Sequence, residues 1–463
     1  MNGRIEPPPP ADPVLAGPRV WPKQLPFWRA RRQLRGNVLG ALYARLFEEP
    51  VVASRVLWFR NFVISDPDGI RRVLRDNAAN YPKSPLLRRT LGPALGQGLI
   101  TSEGETWRRH RRLMAPAFDR LNFGGYSPVM TGAALRLAED WSRLAPGAQI
   151  DVSSEMMKLT ARVIAQTMFS ADSGEIEALL EGSMARVQAR SQPGLLDMLG
   201  FPGWLASPGR MRAIRRHLAP MDELLRRLVE ERRRAPSPGH DLLGRLLSAR
   251  DEATGQGLDA EEIRDEVLTI FTAGHETTSL ALAWTWYLLS QHPRVEEKLR
   301  AELRAALGGR VPSQADLEAL PYTRMVLEES MRLYPPAYLL SSRRALADDV
   351  VSGVKIPKGS YIFIFPWILH RHRRLWDYPE RFDPERFSPE QSERRHRYAY
   401  LPFSAGPRVC IGAGFAMMEA TLLLATLAQR FRLRLVPGHR IEVRGLITLR
   451  AANGIRMTPE PAG

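Results

Sequence analysis

A chain of 463 residues that is 44% hydrophobic and 25% charged can bury a large core, and its balance excludes a mainly disordered polymer. A formal charge of +16 asks for an acidic partner, but the arginine clusters RARRQLR (29–35), RRHRR (108–112) and RHRRLW (371–376) lack the interleaved aromatics of a nucleic-acid groove, so no nucleic acid is expected. The one cysteine forbids an internal disulfide, the start MNGRIEPPPPADPV lacks a signal-peptide layout, and no apolar run approaches the roughly 18 residues of a membrane span, so a cytoplasmic protein with no transmembrane segment is expected.

In chain order, residues 1–24 are rich in Pro and Gly and read as a mobile leader, followed by a single domain over 25–463. Residues 51–66, VVASRVLWFRNFVISD, alternate and carry enough β-branched and aromatic residues for a hairpin. Helical patterns run from there to about 334, interrupted by a loop at APSPGHD (235–241) and another before VPSQADLEAL (311–320), where Ser313 is the N-cap. Beyond 334 the texture turns to short strands, broken by a Pro-rich stretch at 378–403 and the helix 411–431. The fold class is therefore mainly α with a small β-rich subdomain.

Three places carry chemistry. The segment EEIRDEVLTIFTAGHETTSLALAWTWYLLSQHP (261–293) is a long buried helix whose centre holds Gly274, Thr277 and Thr278, all poor helix formers, which predicts an opened turn. In PYTRMVLEESMRLYPP (321–336), Tyr322, Met325, Val326 and Leu333 share a face with Glu329 at its centre. A charge there needs a buried partner, and Arg332 flanks it. In FSAGPRVCIGAGFAMMEA (403–420), Cys410 lies between glycines at the start of an apolar helix, where the helix N-terminus favours thiolate over thiol. Glycines beside an anionic sulfur let a flat group approach, and Arg408 can pair with a carboxylate on it. A haem meets these requirements.

The spacing Phe403-x-x-Gly406-x-Arg408-x-Cys410-x-Gly412 resembles the haem-thiolate signature of the cytochrome P450 family. Other parts resemble the family in its order. Ala273-Gly274-His275-Glu276-Thr277-Thr278 is similar to its oxygen-activating motif, and Glu329-x-x-Arg332 to its Glu-x-x-Arg motif. Pro384-Glu385-Arg386-Phe387 supplies the third member, Arg386, chosen over Arg381 because it follows Phe382-Asp383. Trp107-x-x-x-Arg111 and Arg343, with Arg344 as the neighbouring alternative, match propionate-binding positions.

The resemblance implies the cytochrome P450 fold, haem b as cofactor and Cys410 as the axial ligand of its iron. Phe403, Gly406, Arg408, Gly412, Trp107, Arg111 and Arg343 would hold the cofactor. Thr277 would donate to bound oxygen with Glu276 relaying protons, and Glu329, Arg332 and Arg386 would lock the stretch before the cysteine. Phe271, Ala273, Ala337, Leu340 and Ile447 would line the substrate pocket, with the loop 82–100 and the 180–215 region. The implied reaction is insertion of one oxygen atom from O2 into a lipophilic substrate, with electrons from NAD(P)H through a separate acidic ferredoxin or flavodoxin and its reductase. A monomer is expected. The rival functions are a haem-thiolate isomerase or dehydratase, a peroxide-driven hydroxylase, and a haem-based gas sensor.

Overall fold

The computed structural model describes residues 13, 15–34, 36–56, 58–170, 208–234, 241–252 and 254–462. Residues 180–207 of the expected substrate region and 235–240 of the expected loop lie outside these. Helices dominate, with short strands gathered mainly at the two ends of the described chain.

Helix Ala260–Gln291, the central helix, has 32 residues and is about 48 Å long at 1.5 Å per residue. Its start is fixed by a capping box, Asp259 accepting from the Glu262 N–H and Glu262 reaching back to the Asp259 N–H. Apolar residues surround it, so it is buried rather than amphipathic. Trp284 and Trp286 are fully buried, and Trp284 stacks on Tyr334 with centroids 4.1 Å apart and planes 6° apart.

The expected opened turn is absent: the helix is continuous through Ala273–Thr278. Gly274 has a packing role instead. Helix Val152–Phe169 crosses so closely that a Cβ on Gly274 would come within 3.2 Å of Ile164 Cδ1. At the same crossing Thr160 Oγ1 donates to the His275 carbonyl at 2.8 Å.

Strands Val51–Val56 and Phe59–Ile64 form the expected antiparallel hairpin, Val51 opposite Ile64. A four-stranded sheet grows from it: Phe59–Ile64 pairs in parallel with Tyr361–Phe363, which pairs antiparallel with Arg343–Arg344. A further bridge joins Lys83 to Arg343 and carries this edge toward the cysteine loop. A three-stranded sheet forms from Ile150–Asp151, Arg456–Pro461 and Phe431–Leu435. Strands Val443–Gly445 and Leu449–Ala451 make a separate hairpin.

From residue 15 the leader makes contacts with the core: the Ala16 N–H donates to Tyr287 Oη at 3.0 Å, Tyr334 Oη donates to the Ala16 carbonyl at 2.7 Å, and Trp21 bridges Tyr43. Buried tyrosine hydroxyls need partners, and the leader backbone supplies them. The loop 82–100 contains helix Pro85–Leu95, started by Pro85 at its first turn and ended at Gly96 with φ +54°. Ser313 caps as expected, in a capping box with Asp316, although the helix it opens is 3-10 in type.

Candidate functional site

The cysteine loop is built on a close approach. Gly406 has φ +70°, and a Cβ there would lie 2.0 Å from the Leu74 carbonyl oxygen, so glycine is required for packing on the π-helical turn Arg72–Asp76. This replaces the sequence reading, in which Gly406 gave clearance to a bound group. The Cys410 N–H donates to the Phe403 carbonyl at 2.9 Å and closes the loop. Gly412 fits the clearance role better, since a Cβ there would meet nothing nearer than the Phe118 ring at 3.8 Å.

Cys410 lies three residues before helix Ala413–Ala428. Burial pushes its thiol up, opposed by the Gly412 N–H and the Arg111 charge, so the helix end does not by itself produce a thiolate. The residue nonetheless carries open surface. Dense surroundings together with open surface place the sulfur on the wall of an internal space.

Around this space stands a surplus of positive charge. Arg343 is 5% exposed and its Nε and Nη1 are buried without a partner; burial and the nearby Arg408 push it down to about 10. Arg344 is exposed and lies over the Tyr361 ring, so Arg343 is the inward member of the pair. Arg408 stacks on Trp107 at 4.1 Å and pairs with Glu103, leaving its Nη1 buried and unpartnered. Arg111 Nη1 donates to the Val409 carbonyl at 3.0 Å, beside the cysteine.

Buried guanidinium donors without acceptors are costly and need an anionic ligand. A flat group bearing carboxylates and an atom that binds sulfur fits them, and a haem has both features.

On the central helix Thr277 is half-buried and its Oγ1 donates back to the Ala273 carbonyl at 2.7 Å. Glu276 is 2% exposed. Its Oε1 accepts from Thr448 and from Arg450 Nε at 3.0 Å and Nη2 at 2.5 Å. His275 is buried, with Nδ1 2.7 Å from the Phe271 carbonyl, and burial pushes its pKa down.

The structure brings Glu329, Arg332 and Arg386 together. Glu329 and Arg332 are fully buried and joined at 2.6 and 2.8 Å, with Arg386 Nε 3.5 Å from Glu329. Arg332 also donates to the carbonyls of His370, Pro379 and Arg381, and the Asp383 N–H donates to Glu329 at 2.9 Å. The pair therefore ties the helix Pro321–Leu333 to the chain leading to the cysteine. Arg381 contributes its backbone.

Of the expected pocket residues, Ala273, Ala337 and Ile447 are half-buried. Phe271, 2% exposed, sits in the main core and Leu340, 7% exposed, in the core beside the four-stranded sheet, so both present little open surface. The Leu449 N–H donates to the Pro336 carbonyl at 3.0 Å, holding the Ile447 turn against the Ala337 segment.

Sequence reasoning missed Lys83, Glu103 and Arg450. Lys83 Nζ donates to the carbonyls of Leu99 at 2.9 Å and Ser102 at 3.0 Å. Its backbone N–H donates to Glu103 at 2.8 Å. None of the three stands in a motif; each is found only through contacts between distant segments.

The cytochrome P450 family model matches residues 18–448. Cyclooctatin synthase of Streptomyces melanosporofaciens is 38% identical over 405 residues, covering 85% of each chain. Cyclooctat-9-en-7-ol 5-monooxygenase of the same organism is 36% identical over 382 residues, 82% of this chain and 81% of that one. The crystal structure of the cytochrome P450DA heme domain superposes with a TM-score of 0.84 at 28% identity, covering 97% of this chain and 99% of that one. Among the described residues no helix is long and apolar enough to cross a membrane. With a family model spanning most of its length and relatives more than 30% identical over most of both chains, the chain belongs to the cytochrome P450 family and is a haem-dependent monooxygenase.

Proposed function

We propose that the protein uses haem b to insert one oxygen atom from O2 into a lipophilic, largely hydrocarbon substrate of the terpenoid class. The observation that carries this reading is Cys410 on an internal wall beside buried, unpartnered guanidinium groups of Arg343 and Arg408. The two cyclooctatin-related relatives support the substrate class.

Haem held through Cys410 Sγ would supply redox chemistry with O2. Arg343 and Arg408 would bind and orient its carboxylates, with Trp107 supporting Arg408 from beneath. Arg111 places its charge beside Cys410 and favours the thiolate. Thr277 presents a hydroxyl whose proton is parked on the Ala273 carbonyl. Glu276, held by the half-exposed Arg450 at 2.5 Å, is the carboxylate that relays protons toward Thr277. The half-buried Ala273, Ala337 and Ile447 offer the substrate apolar surface and exclude water.

Electrons come from a separate acidic ferredoxin or flavodoxin, which the +16 charge attracts to the cysteine side. The test is turnover under 18O2 with a surrogate ferredoxin and its reductase, on candidates selected by spin-state shift. One labelled oxygen per product supports the reading; product without label, or product formed without reductant, contradicts it.

A further inference from the structure

Between helix Gly104–Met114 and the central helix lies a cluster of charged groups that the reaction does not use. His110 is fully buried, with Nδ1 2.7 Å from Glu266 Oε1 and Nε2 3.2 Å from Glu262 Oε1. Glu266 is fully buried too, and its Oε2 accepts the Leu99 N–H at 3.1 Å. Glu262 accepts from Arg109 at 2.6 Å and from the Asp259 N–H at 3.0 Å. A neutral imidazole has one N–H, so carboxylate acceptors on both ring nitrogens are met only by the imidazolium.

Glu266 passes this anchor on to segment 96–102. Beside it, Asp265 accepts the Gln97 N–H at 2.6 Å. The segment lies so tightly on the central helix that a Cβ on Gly96 would be 2.0 Å from Asp265 Oδ2, and one on Gly98 2.0 Å from Thr269 Oγ1. Its half-buried Leu99 and Ile100 pack against the main core.

We propose that His110, held as an imidazolium between Glu262 and Glu266, is a positioning residue that fixes segment 96–102 as a preformed wall for the substrate. The inference rests on the haem-thiolate reading for where the substrate lies. Loss of the proton leaves one carboxylate without its donor and two anions facing a buried neutral ring, which loosens the hold on Leu99.

The groups around the ring give the pH dependence its sign. Burial opposes the imidazolium, and the hydrogen bonds and charges of Glu266 and Glu262 outweigh it, so His110 stands above its ordinary 6.5. On its own helix Arg109 is paired with Glu262 and Arg112 with Asp251, and on the central helix Arg264 is paired with Asp265. Lys83, which also feels Glu266, is pushed down to about 7 by burial and then by Arg408 and Arg343. Because anchoring raises the His110 pKa, the hold is complete below 6.5 and fades by up to about tenfold per pH unit as pH climbs through the raised value.

Amide hydrogen exchange across 96–102 in the holoenzyme, compared between wild type and His110→Gln from pH 6 to pH 9, reads the hold directly. Glutamine keeps a donor and does not titrate. Wild type should exchange several-fold more slowly than His110→Gln at pH 6, and the ratio should approach one as pH rises. The intrinsic pH dependence of exchange cancels in the ratio, and repeating the comparison in a Lys83→Met background removes the other group that titrates in this range. The apolar azole clotrimazole, read by its Soret shift, should bind wild type more tightly than His110→Gln at pH 6, by a factor that shrinks in parallel.

An exchange ratio near one at pH 6, or one that stays constant to pH 9, overturns the proposal. Exchange that responds while azole affinity does not overturns the substrate role. Should His110→Gln fail to fold, wild type decides: exchange across 96–102, normalised to an unstructured peptide, must rise with pH, and a flat normalised rate overturns the proposal. If reduced, CO-bound wild type lacks the red-shifted Soret band, the haem-thiolate reading itself fails. With the band present and the exchange ratio flat, only the His110 inference falls.

Discussion

Gly406→Ala tests whether the cysteine loop is positioned by its approach to the π turn. The added Cβ would lie 2.0 Å from the Leu74 carbonyl oxygen and 2.8 Å from its carbon. A relaxed carbon–oxygen contact is about 3.3 Å, so roughly 1.3 Å must be absorbed. Both sides are backbone, and no side chain can rotate away. The left-handed conformation costs alanine about 1–2 kcal/mol, and displacement of packed backbone about 1–3 more. A total of about 2–5 kcal/mol is large against a net stability of about 5–15. The loop closes through the Cys410 N–H to Phe403 bond across this residue, so its shift moves the sulfur. Haem per polypeptide and the reduced CO spectrum are the assays, with a marked loss of haem and of the thiolate-type Soret band expected. An alanine protein with full haem content and an unchanged spectrum would refute the reasoning.

Glu329→Gln keeps the shape of the buried pair but leaves the Arg332 charge without its carboxylate, at a cost of about 3–5 kcal/mol. Thermal unfolding of the holoenzyme should start several degrees lower, and equal melting would show that the pair is not a lock. Thr277→Ala removes the hydroxyl with little loss of helix stability, so the fraction of NAD(P)H diverted to peroxide should rise several-fold; unchanged coupling would take Thr277 out of the proton path. Glu419, buried on the cysteine helix with its Oε1 unpartnered, is pushed up to about 8 by burial. The folded state then holds a proton that the unfolded state loses near pH 4.5, so stability is full below that pH and falls as pH rises toward 8. Glu419→Gln should flatten that decline in Tm, and an unaltered slope would assign it to other groups.

Features set within a single element were legible in the sequence. The face of Pro321–Leu333 places Glu329 at its centre whatever surrounds it, and Arg332 lies three residues on. The hairpin at 51–66 and the Ser313 cap follow from local chemistry in the same way. What depends on distant backbone meeting backbone was not legible. Gly406 is glycine because of Leu74, more than 300 residues earlier, and Gly274 because of Ile164 on a crossing helix. Glu276 meets Arg450 only once the C-terminal hairpin folds over the central helix. Lys83 stood in an expected loop, and its link to Arg343 is a single bridge between segments 260 residues apart. The weak helix formers at 273–278 predicted an opening because propensity counts the cost of glycine and not the close packing it allows.

The reduced, CO-bound spectrum tests the central claim most directly, because it reports the ligand opposite the gas. Wild type should show the red-shifted Soret band of thiolate ligation, and Cys410→Ala should lose it. A colourless protein, or a band that survives removal of Cys410, would contradict the account.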